Sequence, residues 1–375
     1  MSERRQVVAL VTDAIGPWHR GGKESYYQEL VRRLADHAEV HVYTMHWWDG
    51  PRVRVEDNVT YHAICPKRSL YNERRRSIRQ ALLFAVCCLR LLTARFDVIE
   101  ADHMPYMQLF PLRLVATLRR KRLVVTWHEC WGPDYWRSYM GQPGRIGWLL
   151  ESLALRLPDA IISTSPLTAE RVSELTRGRV PVTTATYGID LASFAHVDRA
   201  TDSSDVVAVG RLLPHKRIDL LLEALAILND EGRPLTARII GTGPQLEALR
   251  AQAEGLGLSA FVEFRQDITD QRHLYASLKA AQVAVFPSER EGFGIAVLEA
   301  LACGVPVVTT SAQANYAQWL ITGDADGIVC EPTAPALADA IGTVLDRPRS
   351  ATSDAAWLKQ YDWSAITESV ATALR

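Results

Sequence analysis

The chain has 375 residues, of which 48% are hydrophobic and 23% charged, with 22 Gly and 18 Pro. That composition excludes disordered, collagenous and disulfide-scaffold classes, and at roughly 100–200 residues per domain the length predicts two domains. A net charge of −1 conceals an asymmetry: residues 1–190 carry 27 Lys and Arg against 20 Asp and Glu, whereas 191–375 carry 15 against 23. Met1–Gln6 is polar and runs straight into the strand-like Val7–Thr12, which predicts no signal peptide. Short β-branched runs follow at Val40–Thr44, Val98–Glu100, Leu123–Thr126 and Ala160–Thr164. Helical patterns separate them, such as Lys23–His37 with Tyr26, Tyr27, Leu30, Val31 and Leu34 on one face. This is the signature of right-handed βαβ crossovers over a buried parallel sheet.

The pattern restarts after an irregular polar stretch from Tyr187-Gly188-Ile189-Asp190 to about Ser204. Strands are predicted at Asp205–Gly210, Ala237–Gly241, Phe261–Phe264, Val283–Pro287 and Val305–Thr309. Helices are predicted at Ile218–Asn229, Pro244–Leu256, Arg272–Ala280 and Ile295–Ala302. The fold class expected is therefore α/β, two doubly wound Rossmann-like domains: 1–190, and 191–356. A last helix near 357–375 is expected to cross back onto the first domain, and a ligand cleft is implied at the carboxyl ends of the strands. The six Cys include the adjacent Cys87 and Cys88 and no Cys-x-x-Cys spacing, which fits neither a zinc site nor a disulfide framework and points to a reduced, cytoplasmic compartment. The longest apolar run, Ala81–Leu92, carries Arg90 and is shorter than the ~20 residues a bilayer demands.

Several loops at strand ends carry chemistry. Gly210-Arg211 and Lys216 set a planar donor fork and a point charge where two negative charges would appear if a nucleoside diphosphate departed. Gly241-Thr242-Gly243 opens a helix with backbone able to approach a phosphate or ribose, though a tight turn would want glycine anyway. The most specific stretch runs from Phe286 to Val308. Glu291 falls in a loop suited to accepting bonds from sugar hydroxyls, Gly292, Phe293, Gly294 and Ile295 form an open helix start that favours phosphate, and Glu299 lies inside the helix, shaped for the two hydroxyls of a ribose.

These motifs together resemble the retaining glycosyltransferases of family 4, which have the two-Rossmann GT-B fold. The resemblance rests on Gly21-Gly22-Lys23-Glu24, Tyr187-Gly188-Ile189-Asp190, Gly210-Arg211 with Lys216, Gly241-Thr242-Gly243-Pro244, and Glu291 through Glu299 followed by Ala302-Cys303-Gly304-Val305-Pro306. It implies that Glu291 binds donor-sugar hydroxyls, Glu299 the nucleotide ribose, and Arg211 with Lys216 the diphosphate. It further implies that His128, just past the strand Leu123–Thr126, contacts the sugar near its reacting carbon, and that Gly21 and Gly22 approach the donor phosphates from the acceptor domain. Catalytic roles thus fall on His128 and Glu291. Donor contacts fall on Gly22, Arg211, Lys216, Gly243, Ile268, Gly292, Phe293, Gly294, Ile295 and Glu299.

One departure stands out. Where the family has Gly after the aromatic of its Phe-x-Gly strand end, this chain reads Phe264-Arg265-Gln266-Asp267-Ile268, so the nucleobase is open, with a UDP-sugar favoured over a GDP-sugar. Seven of the ten Trp lie in the first half, and Trp131 and Trp136 beside His128 offer apolar faces to the acceptor, expected to be a small polar natural product, a cyclitol or a glycan; Gly21, in its loop, is the third expected acceptor contact. No cofactor beyond the nucleotide sugar, no metal and no nucleic acid is expected. Lys67, Arg68 and Arg74-Arg75-Arg76, leading through Arg79 into Ala81–Leu92, admit peripheral membrane contact and a lipid acceptor as the alternative reading. An epimerase, a phosphorylase and a non-catalytic sugar-nucleotide-binding protein are the remaining alternatives.

Overall fold

The computed structural model describes residues 4–19, 21–72, 75–268, 270–347 and 356–375. Two compact units emerge, Met1–Gly188 with Trp363–Arg375, and Ile189–Asp362.

In the first unit the order across the sheet is Val182–Thr184, Ala160–Ser163, Arg122–Trp127, Val98–Asp102, Val7–Val11, Glu39–Met45, Val59–Cys65 and Val53–Glu56. Every pairing is parallel except that of Val53–Glu56 with Val59–Cys65. Val7–Val11 is buried at all five positions, as a strand covered on both faces must be. The helix Gly22–Leu34 buries Tyr26, Tyr27, Leu30, Val31 and Leu34, the face its spacing predicts, and Trp363–Leu374 packs against it. Three strands carry no apolar run to betray them. Val53–Glu56 is an exposed edge with alternating charge, Val59–Cys65 interleaves Thr60 and His62 with its buried residues, and Val182–Thr184 is three residues long.

The second unit has six parallel strands in the order Val262–Arg265, Ala237–Ile240, Ser204–Val209, Ala281–Phe286, Val307–Thr310 and Gly327–Cys330. Its last strand was not foreseen, because four residues beginning in Gly and ending in Cys give no periodicity.

Strand order reverses between Val7–Val11 and Val98–Asp102 in one unit, and between Ser204–Val209 and Ala281–Phe286 in the other. Such switch points open a crevice at the carboxyl ends of the strands.

Elsewhere the elements are shorter than expected. Ala81–Leu92 resolves into an α-helix, Ile78–Cys87, capped by Ser77, and a 3₁₀ segment, Cys88–Thr93. The terminal helix begins at Trp363, preceded by a 3₁₀ turn at Trp357–Tyr361. Asp190 caps Leu191–Ala195 through Ser193 N, a structural duty. Arg74 of the basic run lies outside the described residues.

Candidate active site

At the switch point of the first unit two strands deliver carboxylates, Asp13 and Asp102, both fully buried. Lys23, in the first turn of Gly22–Leu34, joins them, its Nζ 3.0 Å from Asp13 Oδ1 and 2.6 Å from Asp102 Oδ2. Arg76 Nη1 lies 2.9 Å from the other oxygen of Asp13, which also accepts from Gln80 Nε2 at 3.1 Å. Burial by itself raises the Asp13 carboxyl, but Arg76 and Lys23 outweigh it and hold it below its ordinary value. For Asp102 burial is again the largest influence, and Lys23 again reverses it. The Lys23 ammonium, desolvated yet flanked by both carboxylates, is held above its ordinary value.

His128 follows the strand Arg122–Trp127 and stands beside this network. Its Nδ1 is 2.9 Å from Tyr187 OH, while its Nε2 is 3.8 Å from Asp102 Oδ1, too far for a hydrogen bond, and is buried without a hydrogen-bond partner. Burial lowers its pKa to about 3 despite the nearby Asp102 carboxylate. The ring is therefore neutral near pH 7 and suited to orienting a hydroxyl rather than supplying positive charge. Asp102, His103 and His128 each place one ligand atom within 4.8 Å of the others, and the Lys23 ammonium beside Asp102 already provides the balancing cation.

Glu100, on the same strand as Asp102, accepts from Tyr27 OH at 3.1 Å and Thr126 Oγ1 at 2.6 Å. Burial raises its carboxyl from 4.5 to about 8, the two hydrogen bonds opposing. Over that interval the folded chain keeps the proton and the unfolded chain has lost it, so this group's contribution to stability falls as pH rises. Glu100→Gln is expected to remove that slope. Urea midpoints across the interval should show the wild type losing on the order of 2–4 kcal/mol relative to the variant. Parallel curves would mean that the carboxylate is ionised in the fold.

Gly21 caps the helix that Gly22 begins, and Gly22 is exposed. Trp131 keeps a half-buried ring, but Trp136, expected to meet an acceptor, belongs to the core. Its indole donates to the fully buried Glu151 at 2.8 Å and lies on Gly147, where a Cβ would come within 2.2 Å of the ring. Glu151 also accepts from Tyr106 OH and from the backbone N–H groups of Trp131 and Gly132, so it shapes the whole segment that follows His128.

In the second unit a small pocket opens at the switch point, lined by Gly210, Arg211, Lys216, Phe286, Pro287 and Ser288 among others. Arg211 is exposed there. Lys216, ending the 3₁₀ turn Pro214–Lys216, forms an ion pair with Glu291, which also accepts from Ser288 Oγ at 2.9 Å. Arg290–Glu291 pairs in parallel with Ala314–Asn315, fixing the backbone that carries the carboxylate. Gly294 caps Ile295–Ala302 at φ 93°, and a Cβ would come within 2.7 Å of Ala317 Cβ, so both conformation and space select glycine. Phe293 beside it is buried, and Gly292 and Ile295 are half-buried.

Gly243 has a local reason to be glycine. A Cβ would lie 2.3 Å from Leu212 O, because the loop after Ala237–Ile240 is zipped to the loop after Ser204–Val209 through Leu212 N to Thr242 O at 2.9 Å. Glu299 is buried and engages Tyr275 OH at 3.2 Å rather than the Lys216 pair. Burial raises its carboxyl to about 7. Ile268 is half-buried beyond Val262–Arg265, beside an Arg265–Asp267 ion pair at 2.7 Å.

The structure thus brings Arg211, Lys216 and Glu291 together, and places His128 over a charge network that sequence reasoning passed by. Asp13, Asp102 and Lys23 were all legible in principle, since carboxylates at the ends of central parallel strands are where such sheets bind ligands.

Two doubly wound sheets, each with charged side chains gathered at its switch point, give the tandem Rossmann-like architecture that GT-B proteins share. The profile described as Glycosyltransferase Family 4 matches residues 20–193, and that described as Glycosyl transferases group 1 matches 192–365. The chain belongs to the family 4 glycosyltransferases. It is 32% identical over 199 residues to a GDP-mannose-dependent α-(1-6)-phosphatidylinositol dimannoside mannosyltransferase of Mycobacterium tuberculosis, a match covering 51% of this chain and 50% of that one. It is 26% identical over 378 residues to the corresponding monomannoside mannosyltransferase of Mycolicibacterium smegmatis, covering 91% and 90%. The chain spans about half the length of the first curated relatives it matches. Among solved structures, HepE of Anabaena, in complex with UDP and glucose, is similar with a TM-score of 0.72 at 21% identity, covering 98% of this chain and 99% of that one, a likeness of fold.

Proposed function

We propose that the protein transfers a hexose from a nucleoside-diphosphate sugar to an acceptor hydroxyl, with retention of anomeric configuration and without a metal ion. The observation that carries this reading is the Lys216–Glu291 ion pair set beside Arg211 at the second switch point. Arg211 and Lys216 meet the diphosphate, so the charge that grows on the leaving group has cations waiting for it. Glu291 accepts bonds from the sugar hydroxyls and faces the positive charge that develops at C1. In the step itself the C1–O bond to phosphate breaks, the acceptor oxygen bonds C1 on the same face, and the acceptor proton passes to the departing phosphate. His128, neutral and with Nε2 unpartnered, orients a sugar hydroxyl. Glu299, through Tyr275, receives the ribose. The acceptor in this reading is a small polar natural product, a cyclitol or a glycan.

A UDP-linked hexose is the first reading of the donor. GDP-mannose is the second, favoured by the names of the mycobacterial relatives. Thermal shifts with UDP, GDP, ADP and TDP and their sugars, with and without EDTA, separate the two. One nucleotide is expected to raise the melting temperature irrespective of EDTA, since a ligand confined to the folded state stabilises it in proportion to its affinity. No shift with any of them would overturn the reading and favour a protein that has lost its donor site.

A further inference from the structure

Tyr187 opens the motif Tyr187-Gly188-Ile189-Asp190 and stands 59 positions from His128 along the chain, yet its hydroxyl lies 2.9 Å from His128 Nδ1. The backbone that carries the phenol is held in place. A Cβ at Gly188 would come within 2.4 Å of the Trp363 ring, so only glycine lets the chain pass this close to the indole. Trp363 and Tyr187 both pack on the buried Tyr26, at 5.7 Å and 5.2 Å between ring centroids, and this sets the direction of the phenol.

The imidazole is constrained as closely. Tyr26 and Tyr27 meet it edge to face at 5.5 Å and 5.9 Å, and His103 lies tilted against it at 5.6 Å. Its own backbone is tied at both polar atoms: the N–H donates to His103 Nδ1 at 3.4 Å, and the carbonyl accepts from Thr164 Oγ1 at 3.2 Å. Since burial keeps the ring neutral, the freedom left to it is which nitrogen carries the single proton.

Two arrangements satisfy the bond between Tyr187 and His128. In one the phenol donates to Nδ1 and the ring proton sits on Nε2. In the other Nδ1–H donates to the phenol oxygen, the phenol turns its own proton towards the neighbouring Thr164 hydroxyl, and Nε2 presents a bare lone pair. Asp102 decides between them. Its Oδ1 is 3.8 Å from Nε2, and Lys23 on its other oxygen keeps the carboxyl ionised. An N–H dipole is drawn to that carboxylate and a lone pair is repelled by it, the more so because both groups are buried. Burial also raises the Tyr187 phenol well above its ordinary value, so its O–H is present throughout the neutral range.

We infer that Tyr187 is a positioning residue: its O–H donates to His128 Nδ1, which fixes the ring and leaves the proton on Nε2, so that His128 acts as a hydrogen-bond donor to a sugar oxygen. Nε2, buried and without a hydrogen-bond partner, is the atom free to make that bond. Without the phenol the ring is held from the Asp102 side alone, and Nδ1 is left as a buried acceptor with nothing to accept from. The role in transfer rests on the reading of His128 given under the proposed function, whereas the tautomer and its hydrogen bond belong to the free chain and are tested without substrate.

Long-range proton–nitrogen spectra of the full chain, free of nucleotide and isotopically labelled at its histidine nitrogens, separate a protonated ring nitrogen from a bare one. The His128→Asn variant identifies the signals by their loss. Near neutral pH the wild type should show Nε2 protonated and Nδ1 bare but hydrogen-bonded. In Tyr187→Phe, which removes one hydroxyl and keeps the ring, the Nδ1 signal should move downfield as its hydrogen bond disappears. The same variant should transfer sugar about ten- to thirtyfold more slowly, with the donor KM changed less than about twofold and a melting temperature within a few degrees of the wild type. A proton on Nδ1 in the wild type overturns the inference, as does an Nδ1 signal that stays put in the variant. A signal that moves while kcat is unchanged overturns the positioning role, and a fall in kcat matched by a large fall in melting temperature overturns it in favour of a structural one. Wild-type protein that transfers no sugar overturns the proposed function instead, and the spectra still decide the hydrogen bond.

Discussion

Glu291→Gln is expected to slow sugar transfer by about 10²–10³-fold, the usual effect of removing one preorganised group that meets transition-state charge. The change is nearly isosteric. The amide oxygen still accepts from Ser288 Oγ, and the backbone of residue 291 stays paired with Asn315, so the loop keeps its shape. What disappears is the negative charge opposite Lys216 and opposite the developing positive charge at C1. The side chains of Glu291 and Lys216 are 14% and 22% exposed, mostly buried but still reached by water, so loss of the charge should cost about 1–3 kcal/mol of stability, the scale of one charged hydrogen bond. Donor consumption and a melting curve read the two effects separately. Wild-type rates in the variant would remove Glu291 from the reaction; a large drop in melting temperature would mean that the pair is structural.

Lys23→Met is expected to destabilise the first unit by about 3–5 kcal/mol, the effect of leaving buried charge without its partner. Methionine fills a similar volume, so packing changes little. Asp13 retains Arg76 and Gln80, but Asp102 loses its only lysine partner and is left fully buried against His103 and His128. The pH dependence identifies the cause. In the wild type both carboxyls are held below 3.8, so their contribution is present above that value and is lost as pH falls through the folded pKa. In the variant the Asp102 carboxyl keeps only the smaller lowering influences of His103, His128 and the Met104 N–H against burial, so it moves upward and less of its contribution to stability survives near neutrality. The deficit measured by urea denaturation should therefore be largest near neutrality and shrink towards acid. An equal deficit at both ends would assign the loss to packing.

Residues that act through local spacing were legible from the chain. The helix Ile295–Ala302 begins and ends where its pattern placed it, because a glycine at φ 93° and an apolar face at helical spacing are both written in neighbouring residues. Lys216 and Glu291 were likewise picked out as separate motifs on two strand-end loops, although their pairing was not. Trp136 misled because an aromatic beside a candidate histidine reads the same whether it faces a ligand or the core, and Glu151, fifteen positions on, decides the matter by taking its N–H.

The sequence by itself determined the alternation of strand and helix, the restart of that pattern in the second half, and the glycine- and carboxylate-rich helix start. Each of these is encoded within one or two turns of chain. Tertiary structure alone decided which charges meet. Asp13, Lys23, Arg76 and Asp102 share one buried cluster only because parallel pairing sets Val7–Val11 beside Val98–Asp102.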